Sequence, residues 1–372
     1  MSKLPKYLTN KLLLLIFYLL FFQKSESQSD LSYRFDYIEF NSENNKSLLF
    51  HFNNNNFFKN NEYFGDIIKG YTLLGYYLTP SVAYYFDSRF RLQAGVNILQ
   101  YHGLKNELDI TPVFSAHLRL FPKFDIIMGT LRGNVMHNMI EPMYDPELQF
   151  IKPNESGFQF LYDGNRFRAD AWLDWEQFIR HGDTIPEIFT AGISARSVLI
   201  DSENGWNLTI PVQFIAKHVG GQIGNRNTPV QTHCNIAAGL DLYKETSGFI
   251  KKTGLFCYYL LYKEATSSNF IGFRSGKAIY TGVNMEVNNA FLMLGYWNAD
   301  NFYAPKGNPI FQSLSHHDNT LIIRQRSLLT GKMGYHRTFN TKLKFSLVAE
   351  TYYDSYIKQL DYTYMMNIFF VL

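Results

Sequence analysis

A chain of 372 residues with 35 basic and 32 acidic side chains is too evenly charged to bind nucleic acid through bulk charge, and it contains no basic block. Phe, Tyr and Trp make up 17% of it, yet mean hydropathy is −0.19. Beyond the N-terminus no apolar stretch reaches the roughly 20 residues of a spanning helix.

The chain opens with Lys3, Lys6 and Lys11, an unbroken apolar run over 12–22, and Ser25-Glu26-Ser27. This is the layout of a secretory signal peptide, 1–27, cleaved after Ser27. No cysteine follows the run, as lipoprotein anchoring requires. An uncleaved anchor is the rival reading, but eleven apolar residues fall short of the roughly 20 needed to cross a bilayer. Removing the segment takes four lysines and one glutamate with it, leaving 31 charges of each sign and a formally neutral mature chain. No linker interrupts 28–372, which reads as one domain.

Many aromatics in a chain that is polar on average fit a transmembrane β-barrel, whose lipid-facing and lumen-facing residues alternate. They fit a soluble β-sandwich with an aromatic core as well. Alternation and strand length separate the two. Phe90, Leu92, Ala94, Val96 and Ile98 alternate with Arg91, Gln93, Gly95 and Asn97, and a second run places Phe114, Ala116, Leu118 and Leu120 on one face. After Asp163-Gly164-Asn165, Phe167, Ala169, Ala171, Leu173 and Trp175 alternate with mostly charged neighbours. The pattern returns over 206–216, 230–242 and 343–353, and closes the chain with Leu360, Tyr362, Tyr364, Met366, Ile368, Phe370 and Leu372. Such runs match the roughly 9 to 11 residues of a tilted membrane strand. Soluble strands average about 5 to 6.

Tight turns are predicted near 88, 122, 164, 203, 246, 290 and 339, with longer connections over 54–71, 102–108, 133–155, 179–186, 219–229, 264–275, 300–318 and 354–359. Short periplasmic turns alternating with long external loops are a barrel signature. With a first strand over 46–52, the fold class is all-β, an antiparallel up-and-down transmembrane barrel of 16 strands, with 14 to 18 compatible. Pro112 and Pro211 fall inside predicted strands and call for a bulge or a shifted boundary.

Over its mature length the chain resembles the outer-membrane porins of Gram-negative bacteria, including the ending Asn367-Ile368-Phe369-Phe370-Val371-Leu372. In that superfamily the last residue is an aromatic read by the barrel assembly machinery; here it is Leu372, with Phe370 two earlier. The style of Phe57-Phe58-Lys59-Asn60-Asn61-Glu62-Tyr63 and Gly70-Tyr71-Thr72-Leu73 resembles uncharacterised outer-membrane barrels of the Bacteroidota. The resemblance implies a porin-like channel for small hydrophilic solutes, in contact with outer-membrane lipid and lipopolysaccharide, without a cofactor, in some members a homo-oligomer. In general porins the third external loop folds inward and sets acidic residues against wall arginines. The third external loop here, 133–155, carries His137, Glu141, Asp145 and Glu147, and the wall offers Arg166, Arg168, Arg324 and Arg326. A transverse field between such groups selects ions. The alternative is a solvated loop with lumen charges paired among themselves.

Three further features carry candidate chemistry. Ser315-His316-His317-Asp318 is a candidate for rim catalysis, but a triad is recognised by geometry and not by adjacency. No third ligand stands at a recognised spacing from His316 and His317. The chain is therefore expected not to be an enzyme. Asn53 to Asn56 with Asn60 and Asn61 read as an amide-rich first external loop, a sugar-binding surface or a flexible polar stretch. Pairing Tyr243 with Gly248 across the turn sets Cys234 directly opposite Cys257, leaving a disulfide or two free thiols open. A non-conducting barrel that displays loops for adhesion or assembly is the alternative to the channel, and a lipid-modifying enzyme is a third reading.

Overall fold

The computed structural model describes residues 40–105, 107–224, 229–266, 270–318, 320–340 and 342–372; the signal segment expected over 1–27 lies outside them. The chain forms a closed antiparallel barrel in which each strand pairs with its sequence neighbours and β1 closes on β16. In chain order the strands are β1 (Leu48–Glu62), β2 (Tyr71–Tyr85), β3 (Phe90–Tyr101) and β4 (Asp109–Phe121). Next come β5 (Phe124–Thr130), β6 (Ser156–Asp163), β7 (Phe167–Gln177) and β8 (Glu187–Asp201). The far half holds β9 (Trp206–Gly220), β10 (Gln231–Glu245), β11 (Ile250–Glu264) and β12 (Ser275–Val287). It ends with β13 (Ala290–Asp300), β14 (Gln325–Asn340), β15 (Leu343–Asp354) and β16 (Gln359–Val371).

The period-two pattern dictates which face each residue takes. On β16, Asp361, Thr363, Met365, Asn367 and Phe369 are buried inside, while Leu360, Tyr362, Tyr364, Met366 and Ile368 are exposed on the wall facing lipid. A one-residue slip would turn that whole apolar set into the lumen, so the register is strongly held.

Two local expectations are corrected. The first strand runs to Glu62, so Asn53 to Asn56, Asn60 and Asn61 are strand residues paired with β2 and β16, and the first external loop is only 63–70. The β10–β11 hairpin turns three residues later than expected: Glu245 pairs with Lys252 and Thr246 N–H donates to Lys251 O at 2.9 Å. Cys257 therefore faces Leu240 and Cys234 faces Lys263, and both thiols are free. Around Pro211 the β9–β10 ladder lapses between Ala238↔Val212 and Asp241↔Thr209, and the β8–β9 ladder shifts register close by, between Val198 and Ile200, in keeping with the irregularity expected at a proline.

Two long connections enter the barrel. Segment 131–155, after β5, holds a 3₁₀ turn (Asn134–His137) and one helical turn (Leu148–Ile151). Gly129 at φ +99° lies against the Phe114 carbonyl where β5 ends, a conformation and a closeness that a side chain would disturb. Segment 301–324, after β13, buries Phe302, Ile310 and Phe311. These pack edge to face with wall rings: Trp297 with Phe302 at 5.0 Å and with Phe311 at 5.3 Å, and Phe311 with Tyr352 at 5.7 Å. The lumen thus has a hydrophobic core made jointly by wall and loops.

Candidate functional site

Segment 131–155 crosses the barrel. Glu147 at its far end meets Lys59 of β1 at 2.5 Å and also accepts from Asn61 and Tyr71. Ile140 N–H donates to Gln213 of β9 at 3.1 Å, and Gln213 donates back to Asn138 O. β1 and β9 are eight places apart in a ring of sixteen, so the segment spans a diameter. Glu141 accepts from Lys332 of β14 at 2.8 Å and from Tyr352 of β15 at 2.8 Å, while Lys332 reaches Glu350 at 2.7 Å.

His137 is clamped: its Nδ1 lies 2.7 Å from Asp170 of β7 and its Nε2 lies 2.7 Å from Glu155, with the ring stacked on Trp172 at 3.6 Å. Burial opposes the imidazolium, but the Asp170 and Glu155 carboxylates outweigh it and raise the pKa to about 9. Burial, then the nearby Glu147 charge, pushes the Asp145 carboxyl up to about 7. With both nitrogens engaged, His137 has no lone pair to offer as a base and serves as a cationic clasp.

The second segment locks onto the first. Asp145 N–H donates to Lys306 O at 2.7 Å, Asn308 N–H donates to Glu141 O at 3.1 Å, and Lys306 Nζ reaches Glu176 of β7 at 3.1 Å. Between Lys59, Glu141, Glu147 and Glu350 there remains a cavity of about 10 Å³, room for about one water.

The structure thus brings Glu141 and Glu147 to the wall, but their partners are lysines. Arg166 and Arg168 lie exposed at the β6–β7 turn, the latter paired with Asp163 at 2.8 Å. Arg324 is exposed and donates to Asn301, and Arg326 is buried against Asp354 at 2.7 Å. Lys59, Lys332 and Glu350 escaped notice because strand parity gives a face, not a height along the barrel, and Lys306 because it lies in segment 301–324, where no parity applies.

At the external rim, Ser315 Oγ lies 3.2 Å from His317 Nδ1, within the reach of a nucleophile and its base. The serine hydroxyl donates to Asp66 O at 2.6 Å and accepts from Asp318 N–H at 3.2 Å. Ser315 is buried and His317 exposed. The Asp318 carboxylate is taken by Thr320. Among the described residues no group of three or more His, Cys, Asp or Glu is arranged to hold a metal.

The sequence profile of the lipid A 3'-O-deacylase-type family matches residues 40–371, nearly all of the barrel. The chain belongs to that family. This overturns the expectation of a protein that is not an enzyme, since the family is one of enzymes. Adjacency in Ser315-His316-His317-Asp318 did not fix the geometry of a catalytic group, and only the fold shows that the Ser315 hydroxyl and the His317 ring come together. No curated protein matches the chain. Among solved structures, this deacylase-family barrel is similar to a BenF-like porin from Pseudomonas fluorescens Pf-5, with 7% identity, TM-score 0.52, and 88% of this chain and 99% of that one covered. It is also similar to Pseudomonas aeruginosa OccK2 in complex with glucuronate, at 7% identity, TM-score 0.51, covering 88% and 98%. A loop L8 deletion mutant of Vibrio cholerae OmpT matches at 10% identity, TM-score 0.50, covering 88% and 99%. At these identities the likeness shows the fold alone: a barrel of the outer-membrane kind.

Proposed function

We propose that this outer-membrane barrel hydrolyses an acyl ester of lipid A, working from the external rim. The family match over 40–371 carries the reading. The 3.2 Å approach of Ser315 Oγ to His317 Nδ1 supplies candidate chemistry on the external side, where long loops emerge. Ser315 Oγ attacks the ester carbonyl while His317 takes its proton; the sugar hydroxyl leaves with that proton, and water then releases the fatty acid from the acyl-serine. Because Ser315 is buried beneath Asp66 O, segment 314–318 must lift from loop 63–70 for substrate to reach it. A lipophilic fluorophosphonate tests the pair: it should label Ser315 in the parent and fail in His317→Ala, and labelling unaffected by that change would sink the assignment.

Passive diffusion of small polar solutes is the second reading. It draws support from the fold likeness to porins, and it has against it a segment pinned across the full diameter from β1 to β9. Export through a signal cleaved after Ser27 belongs to the same proposal, tested by N-terminal sequencing of the mature protein, which should begin at Gln28.

A further inference from the structure

The outer wall of β1 breaks the rule that the rest of the belt obeys. Buried Asn55, Phe57, Lys59 and Asn61 mark the lumen face, so Asn54, Asn56, Asn60 and Glu62 share the outward face with Phe52 and Phe58, Asn60 being covered by its neighbours. Toward the external end the polar groups are absorbed locally: Asn60 donates to Glu62 at 2.6 Å and to Tyr364 at 2.9 Å, and accepts from Thr72. Deeper down the amides of Asn54 and Asn56 engage one hydrogen each, within the strand and its ladder. Asn56 is exposed, donates to Asn54 Oδ1 at 2.6 Å, and sits between Ile368 of β16 and Tyr76 of β2. Asn54 lies between Phe370 and Leu78 and spends one amide hydrogen on Tyr77 O at 3.3 Å. The exposed rings of Phe50 on β1 and Phe64 in the loop that follows bracket this stretch. At about 3.4 Å per residue and a tilt of about 45°, Asn56 stands roughly 14 Å above Phe50, within the hydrocarbon.

We propose that the outer face of β1 is the surface on which two copies of this chain meet in the membrane. Acyl chains offer an amide no hydrogen bond, and polar groups facing lipid are costly, so the patch requires a partner with donors and acceptors at the same depth. Lipid headgroups lie too high to reach Asn54 and Asn56. A carboxamide is self-complementary, being donor and acceptor at once. A two-fold axis along the membrane normal brings identical residues of two copies together at identical depth, as an isologous interface demands. Amide pairs of this kind hold membrane segments together. The flanking Tyr76, Leu78, Met366 and Ile368 would supply the surrounding apolar contact.

The test uses the full-length protein in vesicles of outer-membrane lipid, with Cys234→Ser and Cys257→Ser, and a single new thiol at Asn56→Cys or, on the opposite wall, Val212→Cys. Oxidation should link the first into dimers and leave the second monomeric. A separate variant, Asn54→Leu with Asn56→Leu, makes β1 resemble its neighbours without loss of the barrel, and should lower the dimer fraction about tenfold at fixed protein-to-lipid ratio. Absence of a linked dimer at position 56, equal linking at both positions, or an unchanged dimer fraction in the leucine variant would each overturn the proposal. So would a position 56 shielded from maleimide in a monomer, because segment 28–39 of the same chain would then be the cover.

Discussion

Glu147, at the tip of the segment that enters after β5, lies 2.5 Å from Lys59 on β1, with side-chain exposures of 2% and 8%. Breaking a buried pair leaves one charge without compensation, which costs about 3–5 kcal/mol, whereas replacing both partners with apolar groups is often neutral. Lys59→Met alone should therefore destabilise strongly and unseat the segment, seen as a lowered melting temperature. Adding Glu147→Leu to it should recover most of that loss, and a double-mutant cycle measures the coupling.

His137 adds a pH dependence. Its pKa rises from 6.5 to about 9 in the folded protein, so its contribution is complete below pH 6.5 and is lost as pH climbs through about 9. Melting temperature should fall over that window, and less so in His137→Gln. The ring stacks on Trp172, so loss of the proton should also brighten tryptophan emission in the parent and not in Trp172→Phe.

Gly307 packs so closely on the Pro142 carbonyl that a Cβ there would overlap it. Gly307→Ala should separate the two inward segments at a cost of about 1–3 kcal/mol. Proteolysis of 301–324 in intact vesicles reports it: faster cleavage than in the parent is expected, and an unchanged rate would refute the contact's importance.

With Cys257 opposite Leu240 and Cys234 opposite Lys263, no disulfide forms within the chain. Alkylation without reductant should add two groups per unfolded chain, and Cys257→Ser should leave the melting temperature within about 0.5 kcal/mol equivalent of the parent.

The barrel was legible because membrane strands are long and alternating: the turns predicted near 88, 122, 164, 203 and 246 fall between observed strands, while those placed near 290 and 339 land on the first residue of β13 and the last turn-proximal residues of β14. β1 was cut short because Asn53 to Asn56 put amides on both faces and erased the period, while the energy holding them in a strand comes from the ladders to β2 and β16. The cysteine register failed because a hairpin shift of three residues moves every pair, and a Thr-Ser-Gly turn does not announce its centre. The site was the least readable part. Glu141 and Glu147 were singled out, but Lys332 and Lys59 were not, since which wall residue meets a loop depends on strand tilt and height. Ser315 and His317 stood out only as neighbours; that segment 314–318 docks on Asp66 and Ile67 is a tertiary fact.

The most direct measurement is mass spectrometry of lipid A after incubation with the purified, refolded barrel, alongside its conductance in planar bilayers. Loss of one ester-linked acyl chain by the parent but not by Ser315→Ala, from a barrel that passes no steady current, is the predicted result. Unaltered lipid A together with a steady open-channel current would contradict the account and return the protein to the role of a diffusion pore.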